Sequence, residues 1–226
     1  MSHRTTDDPK VCTTVPFGDD ELNVVQDGQH DATPLLLIHG LAGSTAWWDS
    51  VVPMPAPNFR IVRVDLKGHG KSPSPRQGYD TATQARRVAA ALDRLGISRF
   101  SIVGHSTGGY VATALAELRR DAVDSIQNMI QRAFASTARG SLEYIRVRSV
   151  PDRLAALGVP VQVIFGVEDR RYRSSSATDE YRVIPDARID LLEGVGHTPM
   201  LEAPQTTGRL LSDFMANDSD RNRQAG

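Results

Sequence analysis

The chain has 226 residues, of which 40% are hydrophobic and 23% charged, and its formal net charge is -1. This near-average composition excludes the disordered, collagen-like and disulfide-scaffold classes, and the length suits one α/β domain better than two small ones. Basic and acidic residues are interleaved along the chain, so we expect no nucleic-acid partner.

The two ends of the chain are polar. Residues 1–10 lack the apolar segment of a signal peptide, and no window approaches the roughly 18 to 20 apolar residues of a membrane span. The single cysteine, Cys12, has no partner for a disulfide or at metal-ligand spacing. We therefore expect a cytoplasmic protein without membrane attachment, in which residues 1–10 and 216–226 form flexible tails.

The first predicted element is a hairpin. Residues 11–28, "VCTTVPFGDDELNVVQDG", contain two apolar stretches on either side of a "GDD" turn signal. This pattern is typical of two antiparallel strands at the edge of a sheet.

Five short apolar runs follow, and each ends at Gly, Asp or His, which is typical of strands covered on both faces. They lie at residues 34–40, 59–65, 99–105, 160–166 and 187–194. Segments of helical period separate them, such as residues 81–96, where Ala85, Val88, Leu92 and Leu95 form one apolar stripe before Gly96. The alternation predicts an α/β fold over residues 11–215, with a mostly parallel central sheet and helices on both faces.

Ligands of open α/β sheets bind beyond the carboxyl ends of the strands. The residues directly after the five runs are therefore candidates for one site: His39 to Leu41, Asp65, Ser106, Asp169 and His197. This set already holds a nucleophile, acids and bases.

Residues 104–108, "GHSTG", fit G-x-S-x-G between a predicted strand and a predicted helix. A strand that turns at once into a helix strains the middle residue, and the flanking glycines allow the helix to approach the strand. The pattern alone is weak, since turns commonly use Gly and Ser. A serine also needs a base and an orienting carboxylate, and Glu168, Asp169 and His197 lie downstream.

Five motifs together carry a resemblance to a known family: "HGLAGS", "DLKGHGKS", "GHSTGG", "FGVEDRRY" and "GVGHTPMLEAP". From residue 11 to about residue 215 the chain resembles the α/β-hydrolase superfamily. The resemblance implies Ser106 as nucleophile, His197 as general base and then acid, and Asp169, three residues after Gly166, as the orienting carboxylate. It also implies an oxyanion hole formed by the backbone N–H groups of Leu41 and Thr107.

The resemblance implies a hydrolase that cleaves an ester or related acyl bond of a small molecule, with no cofactor and no metal. A serine at position 106 argues against the dehalogenase and epoxide-hydrolase branches, where the resemblance would demand Asp. Carbon-carbon bond hydrolases, lactonases and cofactor-free haloperoxidases stay open. The alternative from another class is a non-catalytic or degenerate ligand-binding member of the fold.

The segment near residues 121–149 is short where the resembling family inserts a helical cap. It begins as a strand, "DAVDSI", and then follows a helical pattern in which Ile126, Met129, Ile130 and Phe134 form one apolar stripe. Two explanations are open: a minimal lid, or deletion of the cap with part of a central strand. An exposed stripe of this kind leaves three outcomes open: a homodimer through the shortened lid region, a cover over the site, or aggregation.

Overall fold

A sheet of eight strands forms the centre of the fold. The structure is a computed structural model and describes residues 11–17, 20–74, 76–129, 139–170 and 174–224. Its strands are β1 (Val11–Phe17), β2 (Asp20–Gly28), β3 (Pro34–Ile38), β4 (Arg60–Val64), β5 (Phe100–His105), β6 (Val123–Met129), β7 (Val161–Gly166) and β8 (Arg188–Leu192). They are arranged in the order β1-β2-β4-β3-β5-β6-β7-β8.

The sheet is antiparallel at one edge and parallel elsewhere. β1 pairs with β2, and β2 with β4, in antiparallel register. From β4 through β3, β5, β6 and β7 to β8 every pair is parallel. The predicted hairpin and the predicted mostly parallel sheet are both confirmed.

Helices cover both faces of this sheet. They are α1 (Thr81–Arg94), α2 (Thr107–Leu118), α3 (Arg139–Val147), α4 (Val150–Leu157), α5 (Ser174–Tyr181), α6 (Pro199–Glu202) and α7 (Pro204–Gln224). One buried cluster joins the sheet to α1, α2 and α4, with Leu92, Leu115 and Leu154 among its members. A second cluster lies on the opposite face and includes Met200 and Leu211 of α6 and α7.

Helix α1 follows directly from its sequence. The Asp80 carboxylate accepts a hydrogen bond from the Thr83 N–H at 2.8 Å, which satisfies one of the unpaired donors of the first turn. Ala85, Val88 and Leu92 of the predicted stripe are buried in the core. The chain leaves the helix just before Gly96, whose φ of 68° suits a residue without a side chain.

Strand β6 corrects the helical interpretation of residues 126–129. Ile126 and Met129 lie on β6, are buried, and belong to the two different core clusters, so they do not form one exposed stripe. β6 pairs with both β5 and β7, and this central strand is therefore present. Ile130 and Phe134 lie outside the described residues. The apolar pattern typical of a central strand is interrupted here by two polar residues, Gln127 and Asn128, and the structure nevertheless buries both of them fully.

The described end of the shortened segment is tied to the far end of α2. The Tyr144 hydroxyl donates to Glu117 at 2.7 Å, and the Arg153 guanidinium binds the same carboxylate at 2.8 Å while it stacks on the Tyr144 ring. Glu117 lies eleven residues after Ser106, which corresponds to about 16 Å along a helix. This tie therefore holds α3 through the end of α2 that is remote from Ser106.

Helix α7 extends past the predicted domain boundary at residue 215. Its backbone is helical to Gln224, although residues 216–226 were predicted to be a flexible tail. Phe214 and Met215 are buried, which anchors the helix on the sheet. None of the described helices is long and apolar enough to cross a membrane.

Candidate active site

Ser106 lies at the tip of the sharp turn between β5 and α2. Its φ of 51° and ψ of -120° are unusual for a residue with a side chain. The Ser106 N–H donates to the Met129 carbonyl of the neighbouring strand β6 at 3.0 Å, which helps to hold this conformation. The hydroxyl is thereby presented at the carboxyl end of the sheet.

The two glycines of the motif are required by close packing. A Cβ at Gly104 would lie 2.5 Å from the Gly109 Cα, and one at Gly108 would lie 2.3 Å from the His39 carbonyl oxygen. Real Cβ atoms do not approach other atoms so closely. The predicted reason for glycine on either side of Ser106, a close approach of helix and strand, is confirmed.

Ser106, His197 and Asp169 meet although they come from three separate parts of the chain. The Ser106 Oγ lies 3.3 Å from the His197 Nε2, and the His197 Nδ1 lies 2.8 Å from the Asp169 Oδ2. A carboxylate can only accept, so the neutral imidazole carries its proton on Nδ1, and Nε2 is the nitrogen that accepts from the hydroxyl. The arrangement can move a proton away from the Ser106 oxygen.

The side chains of Asp169, His197 and Glu168 differ in how far they are buried. The Asp169 side chain is 1% exposed and the His197 side chain 17% exposed. Glu168, the other candidate acid, is exposed, and its N–H donates to the Val195 carbonyl at 2.9 Å. Asp169 is therefore the carboxylate that the structure brings to His197.

Thr107 directly follows Ser106 in the chain, and Leu41 follows Gly40, whose backbone lies close to Ser106. Thr107 is the first residue of α2, where backbone N–H groups have no acceptor in a preceding turn. A Cβ at Gly40 would lie 3.0 Å from the Ser106 Cβ, which places the backbone that enters Leu41 beside the serine.

His39 braces this loop. Its Nδ1 lies 2.7 Å from the Gly40 carbonyl and its Nε2 accepts from the Leu66 N–H at 3.0 Å, so it bridges the ends of β3 and β4. Burial lowers the pKa of His39 to about 4, although the hydrogen bond to the Gly40 carbonyl acts in the opposite direction. The ring is neutral at pH 7 and acts as a structural bridge.

The "DLKGHGKS" segment forms a local hydrogen-bond cluster around Asp65. The buried Asp65 carboxylate accepts from the Thr45 N–H at 2.6 Å, the Asn23 amide at 2.8 Å and the Lys71 N–H at 2.9 Å. The Ser72 hydroxyl donates to the Asp65 carbonyl at 2.6 Å. These contacts stabilise the turn after β4, and Asp65 takes no part in the contacts of Ser106.

Two further residues contact the loop of His197, and sequence reasoning does not single out one of them, Glu202. Glu202 accepts hydrogen bonds from the N–H groups of Gly196 and Thr198, and the His105 ring contacts the His197 carbonyl. Glu202 lies five residues after His197 in "GHTPMLE". The candidate residues were those directly after the predicted strands, and Glu202 is not among them. The sequence leaves two interpretations of His105 open, a residue that lines the pocket or a packed histidine under the turn, and the structure places it at the end of β5.

Among the residues that the structure describes, no group of three or more His, Cys, Asp or Glu side chains could hold a metal ion.

A family model described as "alpha/beta hydrolase fold" matches residues 33–134. The Uncharacterized protein Mb2734 of Mycobacterium bovis is 39% identical over 254 aligned positions, which cover 80% of this chain and 74% of that protein. The Soluble epoxide hydrolase of Corynebacterium sp. (strain C12) is 37% identical over 93 residues, or 41% of this chain and 32% of that protein.

The crystal structure of carboxylesterase CesB from Bacillus subtilis superposes with a TM-score of 0.80 at 19% identity, and 92% of each chain is covered. The alignment with Mb2734 spans more positions than the 226 residues of this chain, so it contains gaps opposite residues of that protein. Residues of the relative are therefore absent here.

Proposed function

This chain belongs to the α/β-hydrolase fold family and is a hydrolase, and from that premise we propose that it cleaves an ester or related acyl bond of a small molecule. The proposed nucleophile is Ser106, the proposed base is His197 and the proposed orienting acid is Asp169. One observation carries the proposal. The strained turn at Ser106 directs its hydroxyl to the His197 Nε2 at 3.3 Å, and that ring is bonded to a buried carboxylate.

In the first half-reaction the Ser106 oxygen forms a bond to the acyl carbon while its proton passes to the His197 Nε2. The bond between the acyl carbon and the leaving oxygen then breaks, and His197 returns that proton to the departing alcohol. The acyl group is left as an ester of Ser106.

In the second half-reaction a water molecule attacks the acyl carbon and gives its proton to the His197 Nε2. The bond to the Ser106 oxygen breaks, and the serine recovers a proton from His197. The carboxylic acid leaves and the enzyme is regenerated, so no external oxidant or reductant takes part. Asp169 keeps the ring in the tautomer that both steps need and stabilises the imidazolium between them.

Negative charge develops on the carbonyl oxygen in both halves. The backbone N–H groups of Thr107 and Leu41 are the proposed donors to that oxygen. Support comes from the position of Thr107 at the N-terminus of α2, where the helix dipole also favours negative charge. The loop of Leu41 is braced by His39, which favours donors held in place before the reaction.

The proposal is tested with p-nitrophenyl acetate and butyrate and the Ser106→Ala variant. We expect kcat to fall by at least about 10³-fold, because the residual rate of a serine hydrolase without its nucleophile comes from binding and oxyanion donors alone. Ser50→Ala, at an exposed serine, is the matched control and should keep the full rate. Equal rates for Ser106→Ala and the unmodified protein would refute the proposal.

A fluorophosphonate probe gives a second readout. Intact-mass analysis should show one covalent adduct that peptide mapping assigns to Ser106 and that is absent from Ser106→Ala. A panel of acyl chain lengths on the same leaving group then defines the preferred acyl group.

A further inference from the structure

The loop that carries His197 has no regular secondary structure of its own. It runs from the end of β8 at Leu192 to the start of α6 at Pro199, and Gly194 within it has a φ of 70°. A loop of this kind lacks the hydrogen-bond ladder that fixes a strand or a helix. The side chains that bond to its backbone therefore determine how precisely His197 is held.

Glu202 binds the backbone on both sides of His197. Its Oε2 accepts from the Gly196 N–H at 2.7 Å, and its Oε1 accepts from the Thr198 N–H at 2.8 Å and from the Thr198 hydroxyl at 2.7 Å. One carboxylate thus spans three residues with His197 in the middle. Charge-assisted hydrogen bonds of this kind are stronger than neutral ones.

The carboxylate is held in its charged form. Partial burial acts to raise the pKa of Glu202, but hydrogen bonds from Thr198 and Gly196 and the proximity of His197 outweigh it, so this pKa lies below its ordinary value. All three hydrogen bonds to Glu202 are thus present across the neutral range.

His105 holds the backbone of His197 itself. Its Nε2 lies 2.8 Å from the His197 carbonyl oxygen, which can only accept, so Nε2 carries the proton. The two rings also meet edge to face with 5.0 Å between their centroids. His105 is the last residue of β5 and directly precedes Ser106. This bond therefore links the strand that leads to Ser106 with the loop that carries His197.

Four successive backbone positions of the loop are therefore bonded. The Val195 carbonyl accepts from the Glu168 N–H at 2.9 Å, next to Asp169, and the positions at Gly196, His197 and Thr198 are held as described above. The first bond ties the loop to the turn after β7, which carries Asp169, and His105 ties it to the end of β5, which directly precedes Ser106.

We propose that Glu202 and His105 are positioning residues, which hold the backbone around His197 so that its ring reaches Ser106 and Asp169 at the same time. The inference rests on the proposed function, since it assigns these residues to the serine-dependent reaction. Neither residue exchanges a proton with the substrate. Each acts through the placement of His197.

The expected sensitivity is large because misplacement of a reacting group by about 1 Å can cost on the order of 10²-fold in rate. Glu202→Gln keeps the shape of the side chain but leaves one acceptor oxygen, so it cannot satisfy both flanking N–H groups. We expect kcat to fall by on the order of 10-fold with KM changed by less than about twofold. Glu202→Asp keeps the charge but shortens the reach, and we expect a similar loss.

Glu193→Gln is the matched control. Glu193 is an exposed carboxylate in the loop, four residues before His197, so this variant removes a carboxylate charge close to His197 without touching the hydrogen bonds of Glu202. It should keep the unmodified kcat. An equal loss in Glu193→Gln and Glu202→Gln would overturn the inference in favour of a general charge effect.

His105 is tested by two variants that differ in one property. His105→Gln keeps an N–H donor and His105→Phe removes it, so we expect the Gln variant to retain more activity. The double variant Glu202→Gln/His105→Phe should lose less than the product of the two single losses, because both act on one loop. Independent, multiplicative losses would contradict shared positioning.

Hydrogen-deuterium exchange of the peptide that covers residues 193–203 tests the same idea without turnover. Exchange should be faster in Glu202→Gln than in Glu193→Gln or the unmodified protein. Unchanged exchange together with unchanged kcat overturns the inference even if Ser106 proves essential. A third outcome is faster exchange in Glu202→Gln in a protein that shows no Ser106-dependent hydrolysis. That result would refute the proposed function but would still show that Glu202 fixes the loop of His197.

Discussion

Asp169 and Glu168 are adjacent carboxylates with different environments. Asp169 points inward, is almost fully buried, and bonds to the His197 Nδ1 at 2.8 Å. Glu168 points to solvent. Successive side chains after a strand point in different directions, so one position in the sequence separates a group that reaches the imidazole from one that is hydrated.

Asp169→Asn should leave the fold intact and lower kcat by as much as about 10⁴-fold, since an amide at this position favours the wrong imidazole tautomer. Glu168→Gln is the control and should change kcat little. The measurements are p-nitrophenyl ester kinetics and circular dichroism of both variants. Full activity of Asp169→Asn would show that another group orients His197.

At the scale of elements, the turn between β5 and α2 depends on how closely α2 packs on the sheet. Gly108 of α2 touches the backbone where β3 ends, and a Cβ there would lie 2.3 Å from the His39 carbonyl and 2.5 Å from the Ile38 carbonyl. Backbone atoms at a strand end cannot rotate away as a side chain does. The helix, the serine turn and the loop of Leu41 are thus coupled through one contact.

Gly108→Ala should reduce the free energy of unfolding by roughly 1–3 kcal/mol, the usual range for overpacking, and should also lower kcat because it pushes the Leu41 loop away. Gly208→Ala is the comparison, since its added methyl would meet the flexible Met54 side chain at 2.7 Å. Urea unfolding and ester kinetics of both variants measure the difference. A smaller effect at Gly108 than at Gly208 would contradict this packing argument.

At the scale of the whole molecule, two buried neutral histidines link stability to pH. Burial lowers the pKa of His39 to about 4 and that of His105 to about 3. His39 lies near His69 and Asp65, and His105 near His197 and Asp169. In the unfolded chain each ring takes up a proton near pH 6.5, so below that pH the unfolded state binds more protons than the folded state.

The free energy of unfolding should therefore fall as the pH is lowered from about 6.5 towards 4, by up to about 1.4 kcal/mol per pH unit for each ring. Urea unfolding at several pH values measures this slope. His105→Phe should make it shallower, whereas His30→Asn, at an exposed histidine, should leave it unchanged. If His105→Phe and the unmodified protein had the same slope, groups other than His105 would determine the loss of stability at acid pH.

Much of the fold could be predicted because its signals are local. The five apolar runs became β3, β4, β5, β7 and β8, and the hairpin and α1 also formed where their patterns placed them. β6 was only partly recognised, because Gln127 and Asn128 interrupt its apolar pattern and are buried only after β5 and β7 enclose them. The residues next to a polar side chain in the sequence do not indicate that it will be buried in a central strand.

The sequence by itself determined the order of the strands along the chain, the strained serine between two glycines, and the placement of Ser106, Asp169 and His197 after strand ends. Each follows from backbone and side-chain preferences over a few residues. Only the tertiary structure decided that β6 completes the sheet and that Glu202 and His105 bond to the loop of His197. Those outcomes depend on contacts between residues far apart in the chain, such as His105 and His197, whose distance no local pattern encodes.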